Sequence, residues 1–202
     1  MRGQIMRVQQ LLKSAPPVLL ALVLGGCLSL GGKVPDTLFS LTPANSASAG
    51  ATASGKIEDA IIVAEPETDR RLAVQRVPVQ IDDASVAYLQ NAMWVERPAR
   101  LFRSLLAETI RAKGARLVFE DNEAAPGAGV RLTGRLLEMG YDARSLSAVV
   151  RYDAIRSGRS GQLITRRFES VVPGVAAKPE AIGPALNKAA NDVAVQVAEW
   201  IG

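Results

Sequence analysis

Three strand-length segments, roughly 130–143, 146–156 and 162–172, follow one another through short turns, and a long helical pattern closes the chain. That order narrows the fold more than any other feature. The turns are rich in Gly and Ser, notably Ser157-Gly-Arg-Ser-Gly161, so the segments are expected to pair as an antiparallel meander. Apolar alternation slips at Leu136-Leu137, which predicts a bulge there. From about Pro179 to Ile201 the period changes to that of a helix. Leu186, Ala190, Val193, Val197, Trp200 and Ile201 form its apolar stripe.

The half before the meander carries shorter signals. Phe102, Leu105, Leu106, Thr109 and Ile110 recur at helical steps, with Pro98 placed for the first turn and Gly114 for the C-terminal cap. Ala60-Ile-Ile-Val-Ala64, closed by Glu65-Pro66, predicts a buried strand. Thr37–Thr42, Val77–Ile81, Ser85–Leu89 and Arg116–Glu120 predict further short strands. Pro43–Lys56 has no large apolar side chain and is expected to be a flexible Ala/Ser/Gly loop. Strands with one internal and one terminal helix predict a single α/β domain over 37–202, built on a mixed sheet. No internal repeat is visible.

Residues 1–26 have the form of an export signal. Arg2, Arg7 and Lys13 precede an apolar run from Ala15 to Gly26, and small residues then lead into Cys27. The run is short of the ~20 residues a membrane span needs. Leu24-Gly25-Gly26-Cys27 resembles the bacterial lipobox. The resemblance implies diacylglycerol on Cys27, cleavage before it and acylation of the new amino terminus. Cys27 is the only cysteine, and a lone exported thiol would otherwise be a mispairing liability. More than one acyl chain, at ~0.8 kcal/mol per buried methylene, gives stable anchoring. Leu28 after the cysteine, by resemblance to Gram-negative lipoproteins, implies the outer membrane, facing the periplasm. Residues 27–36 would then be a lipidated tether.

Composition removes several functions. There is no histidine, so the Ser-His and Cys-His nucleophile pairs and the commonest zinc ligand are missing. A single cysteine puts Cys/His metal clusters out of reach. No Walker A or Gly-x-Gly-x-x-Gly motif offers a phosphate cradle, so no cofactor is expected. The net charge of +4 comes largely from the leader: setting its three cations aside leaves 21 basic against 20 acidic residues. With aromatics at 4%, no nucleic-acid footprint is expected. Asp82-Asp83 and Glu120-Asp121 read as turn acids, Arg166-Arg167 as solvated strand positions, and Trp200 as a core plug. The expectation is a protein that is not an enzyme.

Tyr88-x-x-Asn91-x-x-Trp94-x-x-x-Pro98 concentrates polar and aromatic groups ahead of the Leu101–Ile110 helix. Two readings fit: rings that pack the helix start onto the sheet, or a partner-docking patch, since Tyr and Trp favour interface hot spots. This segment resembles the signature of the ABC-type transport auxiliary lipoproteins, the Pqi-type lipoproteins associated with mammalian-cell-entry (MCE) domain transporters. The lipobox cysteine, Leu38–Leu41, Ile61–Pro66, the meander and Ala185–Trp200 follow in the same order. Phe39, where the family often has tyrosine, and the longer loop after it depart from the pattern. The resemblance implies a three-layer α/β domain akin to the TolB amino-terminal domain. It also implies a non-enzymatic role, with an MCE-domain protein as partner, in moving phospholipid or related lipids between membranes. A periplasmic lipid- or solute-binding carrier lipoprotein is the alternative.

Overall fold

The computed structural model describes residues 35–202, apart from 115, 122, 124, 125 and 159. Eight strands make one mixed sheet: β1 (Ile61–Val63), β2 (Glu67–Thr68), β3 (Arg76–Gln80), β4 (Val86–Met93), β5 (Val118–Glu120), β6 (Val130–Asp142), β7 (Ser147–Ser157) and β8 (Leu163–Val172). Helix α1 (Pro98–Arg111) lies between β4 and β5, and α2 (Pro179–Ile201) ends the fold.

Strand β6 is the spine. Along one edge it takes three short parallel partners in succession: β1 at Val130–Leu132, β2 at Arg135–Leu136 and β3 at Tyr141–Asp142. Strand β5 adds to β1 in parallel, and β4 adds to β3 antiparallel. The other edge carries the expected meander, β6–β7–β8, antiparallel throughout. The register of β6 against β7 shifts between Leu136 and Glu138, where the alternation slips. Such a bulge frees backbone groups from the ladder. Here the Leu137 carbonyl accepts a 2.7 Å bond from Arg71 Nη2.

Both helices form where the periodicity places them. Pro98 and Pro179 start them, and Gly114, at φ +68, follows the first. The helices pack on each other and on one face of the sheet, sealing Phe102, Leu105, Leu106, Leu186, Val193 and Val197 against Ile61, Leu132, Leu136, Val150 and Tyr152. Burial of apolar area, at ~25 cal/mol per Å², holds the helices to the sheet along this seam. The opposite face carries Arg135, Glu138, Arg151, Asp153, Arg167 and Glu169. Sheet and helices together make the single mixed-sheet α/β domain that the order of elements predicts. Trp200 is half-buried at the rim, edge-on to Phe168 at 5.6 Å.

One expected strand does not form. Of Thr37–Thr42 only Phe39 pairs, in an isolated parallel bridge to Trp94. The backbone beyond it bonds to side chains of α2 instead: Thr42 N–H donates to Asn187 Oδ1 at 2.8 Å, and Ala44 N–H to Asn191 Oδ1 at 2.6 Å. Ala47 N–H donates to Glu108 Oε1 at 2.8 Å, the chief reason that carboxyl is held below its ordinary value. Pro43–Lys56 contains no helix or strand, and its first part is tied across both helices.

Gly134 has φ +152, and a Cβ there would stand 2.1 Å from the Asp153 carbonyl oxygen and 2.8 Å from the Tyr152 hydroxyl. Gly134→Ala is expected to lower stability by about 3 kcal/mol, the upper end for overpacking, measured by chemical denaturation. Tyr152 is buried, donates to the Thr133 carbonyl at 2.8 Å, and has its phenol pKa pushed up by burial. The folded protein therefore keeps a proton that the unfolded chain releases above about pH 10, the ordinary range of a tyrosine. This contribution is full below that pH and is lost as pH rises further. In alkaline urea titrations Tyr152→Phe should lose less stability above pH 10 than the wild type.

Candidate functional site

The edge strand β4 and the amino-terminal half of α2 leave a groove between them. Its volume is about 960 Å³, and it is open along one side. Five consecutive residues of β4, Ala87 to Asn91, line one wall. Neighbours in a strand point to opposite faces, so an unbroken run of five means the strand turns its edge to the groove. The opposite wall is the start of α2, including Pro179, Gly183, Pro184 and Asn187, and Phe39 also lines the groove.

Local sequence explains each wall. Gly183 lets the Phe39 ring come close to α2: a Cβ there would stand 3.0 Å from that ring. Pro184, inside the helix, gives up one backbone hydrogen bond. On the strand side, β4 carries extra residues between the pairs Arg76–Met93 and Pro78–Tyr88. They loop around Asn91, whose φ of +53 lies in the left-handed region that Asn tolerates best after Gly. Asn91 is exposed. Tyr88 is half-buried, its hydroxyl donates to the Arg71 carbonyl at 3.4 Å, and the Arg76 guanidinium lies 4.3 Å over its ring.

The four signature residues therefore divide. Tyr88 and Asn91 line the groove. Trp94 is 1% exposed and packs edge-on to Phe39 at 5.6 Å, while Pro98 is buried at the start of α1. Phe39 and Gly183 were not singled out as site residues. Reading 37–42 as a strand hid Phe39, and a lone glycine in a helical pattern carries no local signal. Cys27 lies outside the described residues.

The Glu120-Asp121 pair is more than a turn. Arg103, buried on α1, places Nη1 2.7 Å from Asp121 Oδ1 and Nε 2.8 Å from Glu120 Oε2, with Glu65 Oε2 at 3.8 Å. The Asp121 carboxylate also accepts the Glu65 N–H at 3.0 Å. Arg97 and Arg100 add cations to Glu65. All three carboxylates share the Arg103 guanidinium, which suits a structural clamp joining the ends of β1 and β5 to α1. Asp82 does act as a turn acid, accepting the Ala84 N–H at 2.8 Å.

A smaller hollow of about 330 Å³ on the open sheet face collects Arg71, Arg144 and Arg151, but their charges are spent locally. Arg144 holds the Asp142 carboxyl down to about 2 and also contacts Asp83. Among the described residues no group of three or more Cys, Asp or Glu side chains is placed to hold a metal ion. Among them, too, no helix is long and apolar enough to cross a membrane.

The fold is a single mixed-sheet α/β domain with an open groove between β4 and α2. Residues 39–198 match the model of the ABC-type transport auxiliary lipoprotein component family, and the chain belongs to that family. Membership makes it an auxiliary lipoprotein of ABC transport systems, held to a membrane and facing the periplasm. Two crystal structures share the fold at 14% identity and a TM-score of 0.63. One is a DUF330 protein of Xanthomonas campestris, covering 84% of this chain and 93% of its own. The other is an uncharacterized protein, covering 82% of this chain and 100% of its own. No curated protein matches the chain.

Removing the Arg103 guanidinium takes the shared cation from Glu65, Glu120 and Asp121, each only partly exposed. Arg103→Met is expected to cost about 2–3 kcal/mol, below the value for a fully buried pair because water reaches the acids. Thermal unfolding at neutral pH checks this.

Proposed function

We propose that this protein is an outer-membrane lipoprotein, anchored through acylated Cys27, that docks the distal end of an MCE-type ABC transport system moving phospholipids or related lipids between membranes. It hydrolyses nothing. The ATPase, permease and MCE-domain protein are separate chains, and this domain secures the delivery end of their conduit. The observation that carries the reading is the groove. Two residues of the family-like signature, Tyr88 and Asn91, stand in its wall, and the edge of a strand is turned toward it.

The lining favours protein over acyl chain as the occupant. It mixes Phe39, Val79, Ile81 and Leu89 with Thr37, Gln90, Asn91, Glu180 and Asn187, and it is open to water. A lipid carrier needs an enclosed, mostly apolar cavity, whereas a protein interface has an apolar centre with a polar rim. Catalysis gains no support, because the acidic pairs already serve arginines or a turn.

Cys27→Ser should move the protein from the outer-membrane fraction to the soluble periplasm. Tyr88→Ala combined with Asn91→Arg should leave anchoring intact and reduce the co-purified MCE-domain protein about ten-fold, the scale of a lost interface anchor. Unchanged fractionation of the Cys27 variant would defeat the anchor. Full recovery of an MCE-domain protein by the groove variant would defeat the docking site. Stoichiometric lipid on the intact protein in native mass spectrometry would favour the carrier reading.

A further inference from the structure

The wall that β4 gives the groove is an unguarded sheet edge. Strand β4 ends the path β4-β3-β6-β1-β5, and Val86–Met93 contains no charge and no proline. Exposed edges usually carry a lysine, a proline or a bulge that turns other strands away. Here the interruption comes late, around the left-handed Asn91, and leaves Val86, Ala87 and Tyr88 in unbroken register with Gln80, Val79 and Pro78.

The ladder shows which main-chain groups the edge offers. Ile81 N–H donates to the Ser85 carbonyl at 3.0 Å, and two residues along each strand Val79 pairs with Ala87. Antiparallel pairs alternate between those that exchange both bonds and those that exchange none. Ser85 and Ala87 therefore turn their N–H and C=O groups toward β3, whereas Val86 and Tyr88 turn theirs outward. Pro78 fits this phase, because it stands opposite Tyr88, where no donor toward β4 is needed. So does Gln80, opposite Val86, whose carbonyl points the other way and accepts the Ala143 N–H at 2.9 Å. Among the described residues nothing bonds to the outward main-chain groups of Val86 or Tyr88.

At its far end the same edge is already in use. Phe39 N–H donates to the Met93 carbonyl at 2.7 Å, and the Phe39 carbonyl accepts the Val95 N–H at 2.8 Å. Only Phe39 pairs, because the chain before it bends at Asp36 and Thr37. The stretch from Val86 to Gln90 stays open. Ala87 and Leu89 share the face of Val79 and Tyr141, toward the helices, so alternate side chains of a strand laid here would meet Phe39, Leu89 and Pro184. Among the lining residues only Glu180 is charged, so the groove is complementary to a cation.

Resting on the docking role proposed for the groove, we infer that it receives its partner as an added β-strand. An extended segment of the transport protein pairs through its backbone with Val86 and Tyr88, turns alternate apolar side chains toward α2, and offers Glu180 a Lys or Arg. Main-chain bonds then supply affinity, and the pockets for alternate side chains supply specificity.

Residue-resolved hydrogen–deuterium exchange by NMR tests this on the intact protein in detergent, alone and with the purified MCE-domain protein. Alone, the Val86 and Tyr88 amides should exchange rapidly and the Ala87 amide slowly. With the partner bound, the first two should slow about ten-fold or more, as amides do on entering a ladder. Tyr88→Pro removes the outward N–H without touching the bonds to β3, and should bind the MCE-domain protein about ten-fold more weakly than Tyr88→Ala, the scale of one lost buried hydrogen bond. Glu180→Lys leaves the edge intact and should weaken binding to a similar extent, through like-charge repulsion. Binding with the Val86 and Tyr88 amides still exchanging rapidly, or Tyr88→Pro binding as well as Tyr88→Ala, would overturn strand addition and leave groove docking in place. Wild-type affinity in Glu180→Lys would overturn the cation. No binding by the wild type would overturn the docking role itself, and strand addition with it.

Discussion

Everything in this fold depends on the backbone ladder of β6. A thirteen-residue strand is long enough to take three short parallel partners on one edge and a full antiparallel partner on the other. Strands of two, three and five residues cannot hold register by themselves, and β6 supplies it for β2, β1 and β3. The bulge at Leu137 serves the same end. It rotates the second half of β6 so that Met139 and Tyr141 continue the buried face begun by Leu132 and Leu136. Arg71 then satisfies the carbonyl that the bulge sets free.

From that spine the site follows. Strand β3 sits at the far end of β6 and carries β4 outward as the last strand. The extra residues around Asn91 bend β4, and α2 begins opposite it with Gly183 and Pro184 rather than large side chains. The gap between them is the groove. Its Phe39 side is held by the edge-on contact of that ring with Trp94, and by Asn187 and Asn191, which hold the backbone that follows Phe39. Groove wall and core thus share one short stretch of chain, in which Tyr88, Asn91, Trp94 and Pro98 lie close together. The family that residues 39–198 define gives this surface its setting, an auxiliary lipoprotein serving an ABC transporter.

How much of this was legible in the sequence divides along physical lines. The meander and both helices were legible because local periodicity determines them: β6, β7, β8, α1 and α2 lie within a residue or two of their expected limits. The Leu136-Leu137 bulge was legible for the same reason. The fate of Thr37–Thr42 was not. Its strand pattern is overridden by Asn187 and Asn191, about 145 residues away, whose side chains capture its backbone. The role of Glu120-Asp121 was hidden in the same way, since Arg103 and Glu65 reach it only in the folded chain. The sequence marked the Tyr88–Pro98 segment as a unit. The division between Tyr88 and Asn91 in the groove and Trp94 and Pro98 in the core needed the register shift in β4.

The central claim is that the groove beside β4 receives a transporter subunit. A photo-activated cross-linking residue placed at Asn91 in living cells tests it most directly, with the same residue at exposed Glu67, outside the groove lining, as control. The account predicts a covalent adduct with an MCE-domain chain from position 91 and none from position 67. Adducts from position 91 that contain no transporter chain, at normal levels of folded and anchored protein, would contradict it.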